Sequence, residues 1–183
     1  MRRIVAVVCQ SGVSEQSDLY RLGLELGKDL VDHNYRIQIG GRDGVMEAVA
    51  KGARESSNYT GNEIIGILPG FDPSLGNRFL DIAIPTGLDV LRNSIVANAD
   101  AVIAIGGGAG TLSEMAMAWQ LKRMIIAYNV FGWSGKLANT RIDDRKRIEW
   151  SGDKVFSVSN SREVIQYLSE YLHYYTERHK GIS

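Results

Sequence analysis

Cysteine is almost absent from this chain. Cys9 is the only one in 183 residues, which excludes an internal disulfide and argues against a cysteine-based zinc site. Histidine is scarce as well. His33, His173 and His179 fall near expected helix C-termini, where they favour the helix dipole, and lack metal-ligand spacing, so no metal site is expected. Neither sign of charge is in excess, with Lys+Arg and Asp+Glu at 21 each. No basic field therefore argues for nucleic acid, and no acidic one for a basic partner. A long apolar run is missing too, and the chain enters its first strand without a signal-peptide pattern. Membrane association is not expected, and the expected compartment is the cytoplasm. No linker, repeat or low-complexity tract interrupts residues 1–183, which read as one domain.

Glycine is what the chain does have, and it is clustered. Ala101-Val102-Ile103-Ala104-Ile105 is an apolar, β-branched run short enough to be a strand buried on both faces. Four glycines follow within five residues, Gly106, Gly107, Gly108 and Gly110, and then Met115 to Leu121 reads as a helix. Strand, glycine turn and helix together bind phosphate: the backbone approaches closely, and free N–H groups and the helix dipole face the anion. No Gly-Lys-Ser/Thr closes the motif, so it is not a Walker A loop, and it is not a clean GxGxxG. Gly107, Gly108, Ala109, Gly110 and Thr111 are the expected phosphate cradle.

The pattern of strand, small-residue turn and helix recurs. Arg3 to Cys9 is a buried strand ending at Gln10-Ser11-Gly12, and Leu19, Leu22, Leu26 and Leu30 stripe the helix that follows. Gly23 and Gly27 allow that helix close packing, and Asn34 is a left-handed cap beyond it. Arg36 to Ile39 is a second strand, followed by Gly40-Gly41-Arg42-Asp43-Gly44 and a helix from Val45 to about Glu55. Two glycine turns at strand C-termini predict one shared crevice. Further strands are expected at 63–68, 82–85, 124–128 and 154–158, and helices at 88–98 and after the capping box Asn160 to Glu163. Residues 129–152 form the least regular stretch, with Trp133 available to stack on a ring or to anchor local packing, and 141–147 read as a solvated helical face. Strands alternate with helices throughout. The expected fold is α/β, Rossmann-like and doubly wound, with a mainly parallel sheet and helices on both faces.

Gly107-Gly108-Ala109-Gly110-Thr111-Leu112-Ser113-Glu114 resembles the PGGxGTxxE signature of the Lonely Guy family, whose members were long mislabelled lysine decarboxylases. That family is Rossmann-like and includes cytokinin riboside 5′-monophosphate phosphoribohydrolases. The chain is more similar to a sister branch that includes the molybdenum cofactor carrier proteins. There the signature's proline is typically glycine, as Gly106 is here, and an Arg-Asn pair like Arg92-Asn93 precedes the strand. The resemblance spans roughly residues 3–128 and includes the Gly40–Met46 turn. Phosphoribohydrolases carry an Arg-Lys pair, so both departures weigh against N-glycoside hydrolysis and leave phosphate binding untouched.

Within the signature, Thr111 and Glu114 also form a T-x-x-E capping box, which explains Glu114 structurally. The resemblance implies instead that Glu114 polarises a water or holds ribose hydroxyls. Arg92 is expected to clamp a phosphate or stabilise a leaving group, or else to be a solvated helix arginine. If the chain is an enzyme, Glu114 and Arg92 are the catalytic candidates. The binding candidates are Gly12, Gly40, Gly41, Arg92, Asn93, Gly107, Gly108, Ala109, Gly110, Thr111 and Glu114. No lysine stands in a motif for a pyridoxal Schiff base, which excludes decarboxylation.

Three readings follow. The favoured one is a binding or carrier protein for a phosphorylated, ring-bearing ligand, the molybdenum cofactor as cargo or a nucleotide, with no cofactor required. The second is a nucleoside 5′-monophosphate phosphoribohydrolase, and the third a fold that has lost its ligand. The helix Met115 to Leu121 is apolar around most of its circumference, which predicts a homodimer or homotetramer.

Overall fold

The computed structural model describes residues 2–178, so His179 lies outside the described residues. Seven strands form one sheet: β1 (Ile4–Cys9), β2 (Arg36–Ile39), β3 (Ile64–Leu68), β4 (Ile82–Pro85), β5 (Ala101–Ile105), β6 (Met124–Tyr128) and β7 (Val155–Val158). Their order is β4-β3-β2-β1-β5-β6-β7, and every pairing is parallel. Six α-helices connect or follow them: α1 (Asp18–Asp32), α2 (Val45–Arg54), α3 (Asn93–Ala97), α4 (Ala109–Gln120), α5 (Trp133–Leu137) and α6 (Ser161–Tyr171). This is the doubly wound Rossmann-like fold, and its strand order reverses between β1 and β5.

Alternation along the strands divides the core in two. Val5 and Val7 of β1 join Leu26, Leu30, Val49 and Val164 under α1, α2 and α6. Ala6 and Val8 face the other way, onto Val96, Met115, Ala118 and Trp119 of α3 and α4. All five residues of β5 and of β6 are buried, as strands covered on both faces must be. The α1–α2 contact runs backbone to backbone, as the small residues predicted. A Cβ on Gly27 would stand 2.0 Å from the Val49 carbonyl oxygen, and one on Gly52 the same distance from that of Leu24. Asn34 takes φ 67 beyond α1, and Asn160 caps α6 through the Glu163 N–H at 3.1 Å.

Three expectations are corrected. Residues 88–98 are not one helix: a 3₁₀ turn at Asp89–Arg92 runs into the short α3. Gly87 and Asp89 both have positive φ, and the Asp89 N–H is held by the Pro69 carbonyl at 3.0 Å, so an α-helix cannot start before the bend is complete. The charged run 141–147 is not helical either. The Asp143 carboxylate accepts from the Trp119 indole at 3.1 Å, the Arg145 N–H at 3.0 Å and the Arg147 guanidinium, and folds the run into turns. Finally, α4 starts at Ala109, with Gly108 in the N-cap position. Thr111 and Glu114 therefore lie inside the helix, and the T-x-x-E box does not form.

Candidate functional site

Ligand crevices in open α/β sheets lie at strand C-termini, where the strand order reverses and neighbouring helices diverge to opposite faces. Here that point lies between β1 and β5, and a cleft of about 460 Å³ opens there. The first turn of β1–α1 (Gln10, Ser11, Gly12), the β2–α2 turn (Gly40, Arg42, Asp43) and the start of α4 line it, together with Arg92 and Asn93. The two glycine turns do share one crevice.

The glycine cluster divides its labour. Gly106 and Gly107 have positive φ and are packed, not open. A Cβ on Gly107 would stand 2.0 Å from the Thr111 hydroxyl oxygen. The Gly106 N–H donates to the buried Ser134 hydroxyl at 2.7 Å, which donates in turn to the Tyr128 carbonyl at 2.8 Å. These bonds fasten the loop to the start of α5, and the Trp133 N–H adds a bond to the Gly107 carbonyl at 3.0 Å. Gly108 and Gly110 line the cleft, and nothing lies within 4 Å of where their Cβ atoms would be. The early N–H groups of α4 have no intrahelical acceptor and carry the positive end of the helix dipole.

Of the binding candidates, Gly12, Gly40, Arg92, Asn93, Gly108, Gly110, Thr111 and Glu114 line the cleft. Gly41, Gly107 and Ala109 do not. Gly41, with φ +76, packs under Leu68, and Ala109 is exposed beside the cleft. The Thr111 side chain is buried and its hydroxyl turns toward the Cys9 carbonyl at 3.4 Å. Trp133 stays outside the lining, with the Lys136 ammonium 4.6 Å from its ring centre. Arg42, Asp43 and Met46 line the cleft without having been singled out. Their signal was in hand, since Arg42 and Asp43 sit inside the second glycine turn.

The two catalytic candidates meet. Arg92 Nη1 stands 3.6 Å from Glu114 Oε1, with their side chains 13% and 9% exposed. That is an ion pair but not a hydrogen bond, and among the described residues Arg92 Nε and Nη1 have no hydrogen-bond partner. The guanidinium lies over Gly40, where a Cβ would come within 2.6 Å of Nη1. Burial, against the pull of Arg92, pushes the Glu114 carboxyl up to about 7. Burial also lowers the Arg92 pKa, and the nearby charge of Arg42 lowers it further. The Cys9 thiol, raised by burial and by Glu114, is no thiolate. Asn93 braces the site: its Nδ2 donates to the Ser113 hydroxyl at 2.9 Å, which donates to the Gly110 carbonyl at 2.7 Å.

Such a site offers helix N–H groups and two arginines to an anion, beside a carboxyl group poised to gain or lose a proton near neutrality. Among the described residues no helix is long and apolar enough to cross a membrane, and no cluster of three or more His, Cys, Asp or Glu side chains is placed to hold a metal.

Known proteins are similar to this chain over half of its length or more. A molybdenum cofactor binding protein from the phototrophic bacterium Rippkaea orientalis superposes with a TM-score of 0.76 at 31% identity, over 93% of this chain and 97% of that one. The cytokinin riboside 5′-monophosphate phosphoribohydrolase LOG of Oryza sativa subsp. japonica is 26% identical over 93% of this chain and 74% of its own length. An uncharacterized protein of Archaeoglobus fulgidus is 39% identical over 55% of this chain and 64% of its own length, so the match spans just under two thirds of that relative. The family model that fits residues 2–165 is that of the SLOG cluster4 family, and the chain belongs to that family.

Proposed function

We propose that the chain is a binding or carrier protein that holds a phosphorylated, ring-bearing ligand, the molybdenum cofactor or a nucleotide, in the cleft between β1 and β5. One observation carries the reading: the nearly buried Arg92 lines the cleft that α4 opens onto, and its Nε and Nη1 have no hydrogen-bond partner among the described residues. A buried guanidinium without a hydrogen-bonding counter-ion is costly, and a phosphate would supply one. Gly108 and Gly110 leave room for that phosphate, and Asn93 holds the first turn of α4 in place. The likeness to the Rippkaea orientalis protein supports the molybdenum cofactor as cargo. Incubation with adenosine 5′-monophosphate, read both as heat of binding and as free adenine, tests the proposal. Binding without adenine release is expected; release of adenine overturns the carrier reading.

A second reading rests on Glu114. A carboxyl group titrating near 7 suits general acid–base work. In a nucleoside 5′-monophosphate phosphoribohydrolase, water would add to C1′ while the C1′–N bond breaks, Glu114 taking the water's proton and the departing base regaining it, which restores the carboxylate. Arg92 would hold the phosphate. The likeness to the rice enzyme supports this alternative, and the absence of a lysine beside Arg92 weighs against it.

The same proposal includes cytoplasmic residence and a homodimer or homotetramer. Met115, Ala118 and Trp119 of α4 are buried in this chain, so the apolar surface offered to a second copy is the stretch that precedes β5. Val90 and Leu91 are 68% and 67% exposed, and Leu88 and Ile95 stand with them. A monomeric mass by light scattering at micromolar concentration would sink this part of the proposal.

A further inference from the structure

At the other end of the sheet, below the N-termini of β1 and β5, lies a second and larger cavity of about 740 Å³. Four arginines reach it from three distant segments: Arg2 and Arg3 ahead of β1, Arg123 between α4 and β6, and Arg178 near the C-terminus. Asp100 is the acidic side chain in the lining. It accepts from the Ile4 N–H at 2.8 Å, from Arg3 at 3.2 Å and from Arg178. Arg2 is held from outside the cavity by Glu63 at 2.5 Å.

Arg123 is the anomaly. It is 4% exposed, and its only side-chain hydrogen bond among the described residues runs from Nη2 to the Asn98 side-chain oxygen at 2.7 Å. Nε and Nη1 are buried without a partner. Burial, and then the neighbouring charge of Arg178, pull its pKa down to about 10. A buried guanidinium crowded by a neighbouring guanidinium beside a cavity is what an anion would hold in place. Among the described residues, four guanidinium groups face two carboxylates, Asp100 and Glu63, which leaves two positive charges.

We propose that this cavity is a second anion site, independent of the cleft, which takes a phosphate dianion either free or carried on a small organic molecule. The unpartnered Nε and Nη1 of Arg123 supply donors for phosphate oxygens, and Arg178, whose terminal nitrogens donate to the Ala99 carbonyl and to Asp100, adds its charge beside them; a dianion neutralises the remaining charge, and the cavity is of the size that accepts small molecules. The site does not depend on what the cleft binds.

The test uses the full chain and inorganic phosphate. Titration calorimetry is run on Gly108→Trp, which fills the cleft, so that only the second site is read. Phosphate binding is expected to persist there, to fall about tenfold when Arg178→Gln is added, and to vanish when Arg123→Met is added. Arg123→Met should melt at or above the parent temperature without phosphate, because it removes a buried, uncompensated charge, and should lose the phosphate-dependent rise in melting temperature. Arg178 is half exposed, so its substitution decides the matter even if Arg123→Met fails to fold. No phosphate binding in Gly108→Trp, or binding that neither arginine substitution weakens, overturns the proposal. Ribose 5-phosphate is titrated in parallel. Tighter binding of the ester supports an organic phosphate as the ligand, and equal binding supports the free anion.

Discussion

The two ends of the sheet bury an arginine each, and they treat it differently. At the C-terminal end Arg92 faces Glu114, a carboxyl group raised to about 7. At the N-terminal end Arg123 has a neutral amide, while the nearby Asp100 is tied to the backbone and to two exposed arginines. Burial alone would raise Asp100 as it raises Glu114, but the Ile4 N–H, Arg3 and Arg178 hold it below the usual carboxylate range. The difference lies in hydrogen bonding to the ionised form. Glu114 has a cation at 3.6 Å and no hydrogen-bond donor among the described residues, whereas Asp100 has three donors. Burial therefore wins at one end and loses at the other. The cleft can change its charge near neutral pH, and the far cavity cannot.

The largest effect expected is on ligand binding in the cleft. Gly108→Trp should weaken binding of adenosine 5′-monophosphate by more than about a hundredfold, because the indole takes the place of the phosphate. The melting temperature should hold, since Gly108 has ordinary negative φ and open space where its Cβ would be. Unchanged affinity would put the phosphate elsewhere. Arg92→Gln comes next, with a loss of about tenfold to a hundredfold. It keeps the side chain's polarity and size near Gly40 and removes the charge. An effect no larger than that of Arg178→Gln on the same ligand would erase the distinction between the two ends.

How far these ends could be read in the sequence depends on how local their causes are. β5 and β6 stand where the apolar runs placed them, because a strand buried on both faces needs nothing but its own residues to announce it. The paired glycine turns foretold the crevice for the same reason. Thr111 and Glu114 were open to two explanations, because a T-x-x-E spacing looks the same at the start of a helix and three residues inside it. Only the Gly108 backbone, which begins α4 early, decides against the cap. Gly107 was assigned to the ligand, yet its crowded neighbour is Thr111 and its carbonyl serves α5. The N-terminal cavity left no trace in the sequence. Residues 2, 3, 98–100, 123 and 178 become neighbours only once seven parallel strands are ordered, and no spacing rule connects them.

A third prediction turns on the pH at which Glu114 matters. Its folded pKa of about 7 lies above the ordinary 4.5, so the fold favours the protonated form. Stability is then fullest below pH 4.5, declines between 4.5 and about 7, and stays at its lower value above that. Glu114→Gln keeps the shape and cannot ionise. At pH 8 it should stabilise the chain by about 1–2 kcal/mol, part of the ionisation cost being returned by an Arg92 left without its carboxylate. At pH 4 it should change nothing. Urea titrations at both pH values check this, and a loss of stability at pH 8 would show that the ion pair outweighs the burial.

The smallest effect belongs to the other end and has the opposite sign. Asp100 has a folded pKa below its unfolded one, so its contribution is present above the ordinary aspartate range and is lost as the pH falls through the folded value. Asp100→Asn should cost about 1 kcal/mol at pH 7, a modest figure because Arg3 and Arg178 are each half exposed and water screens such pairs. The asparagine oxygen can still accept from the Ile4 N–H, so the start of β1 should stay in register with β5. At pH 3 the gap between variant and parent should narrow, because the parent's carboxylate is then partly protonated as well. Paired urea titrations of Glu114→Gln and Asp100→Asn from pH 3 to pH 8 should therefore move in opposite directions, the first separating from the parent as the pH rises and the second as it leaves the acid range. Two curves that separated from the parent with the same sign would mean that the two ends bury their carboxylates alike, and the contrast between a titrating cleft and a fixed cavity would be lost.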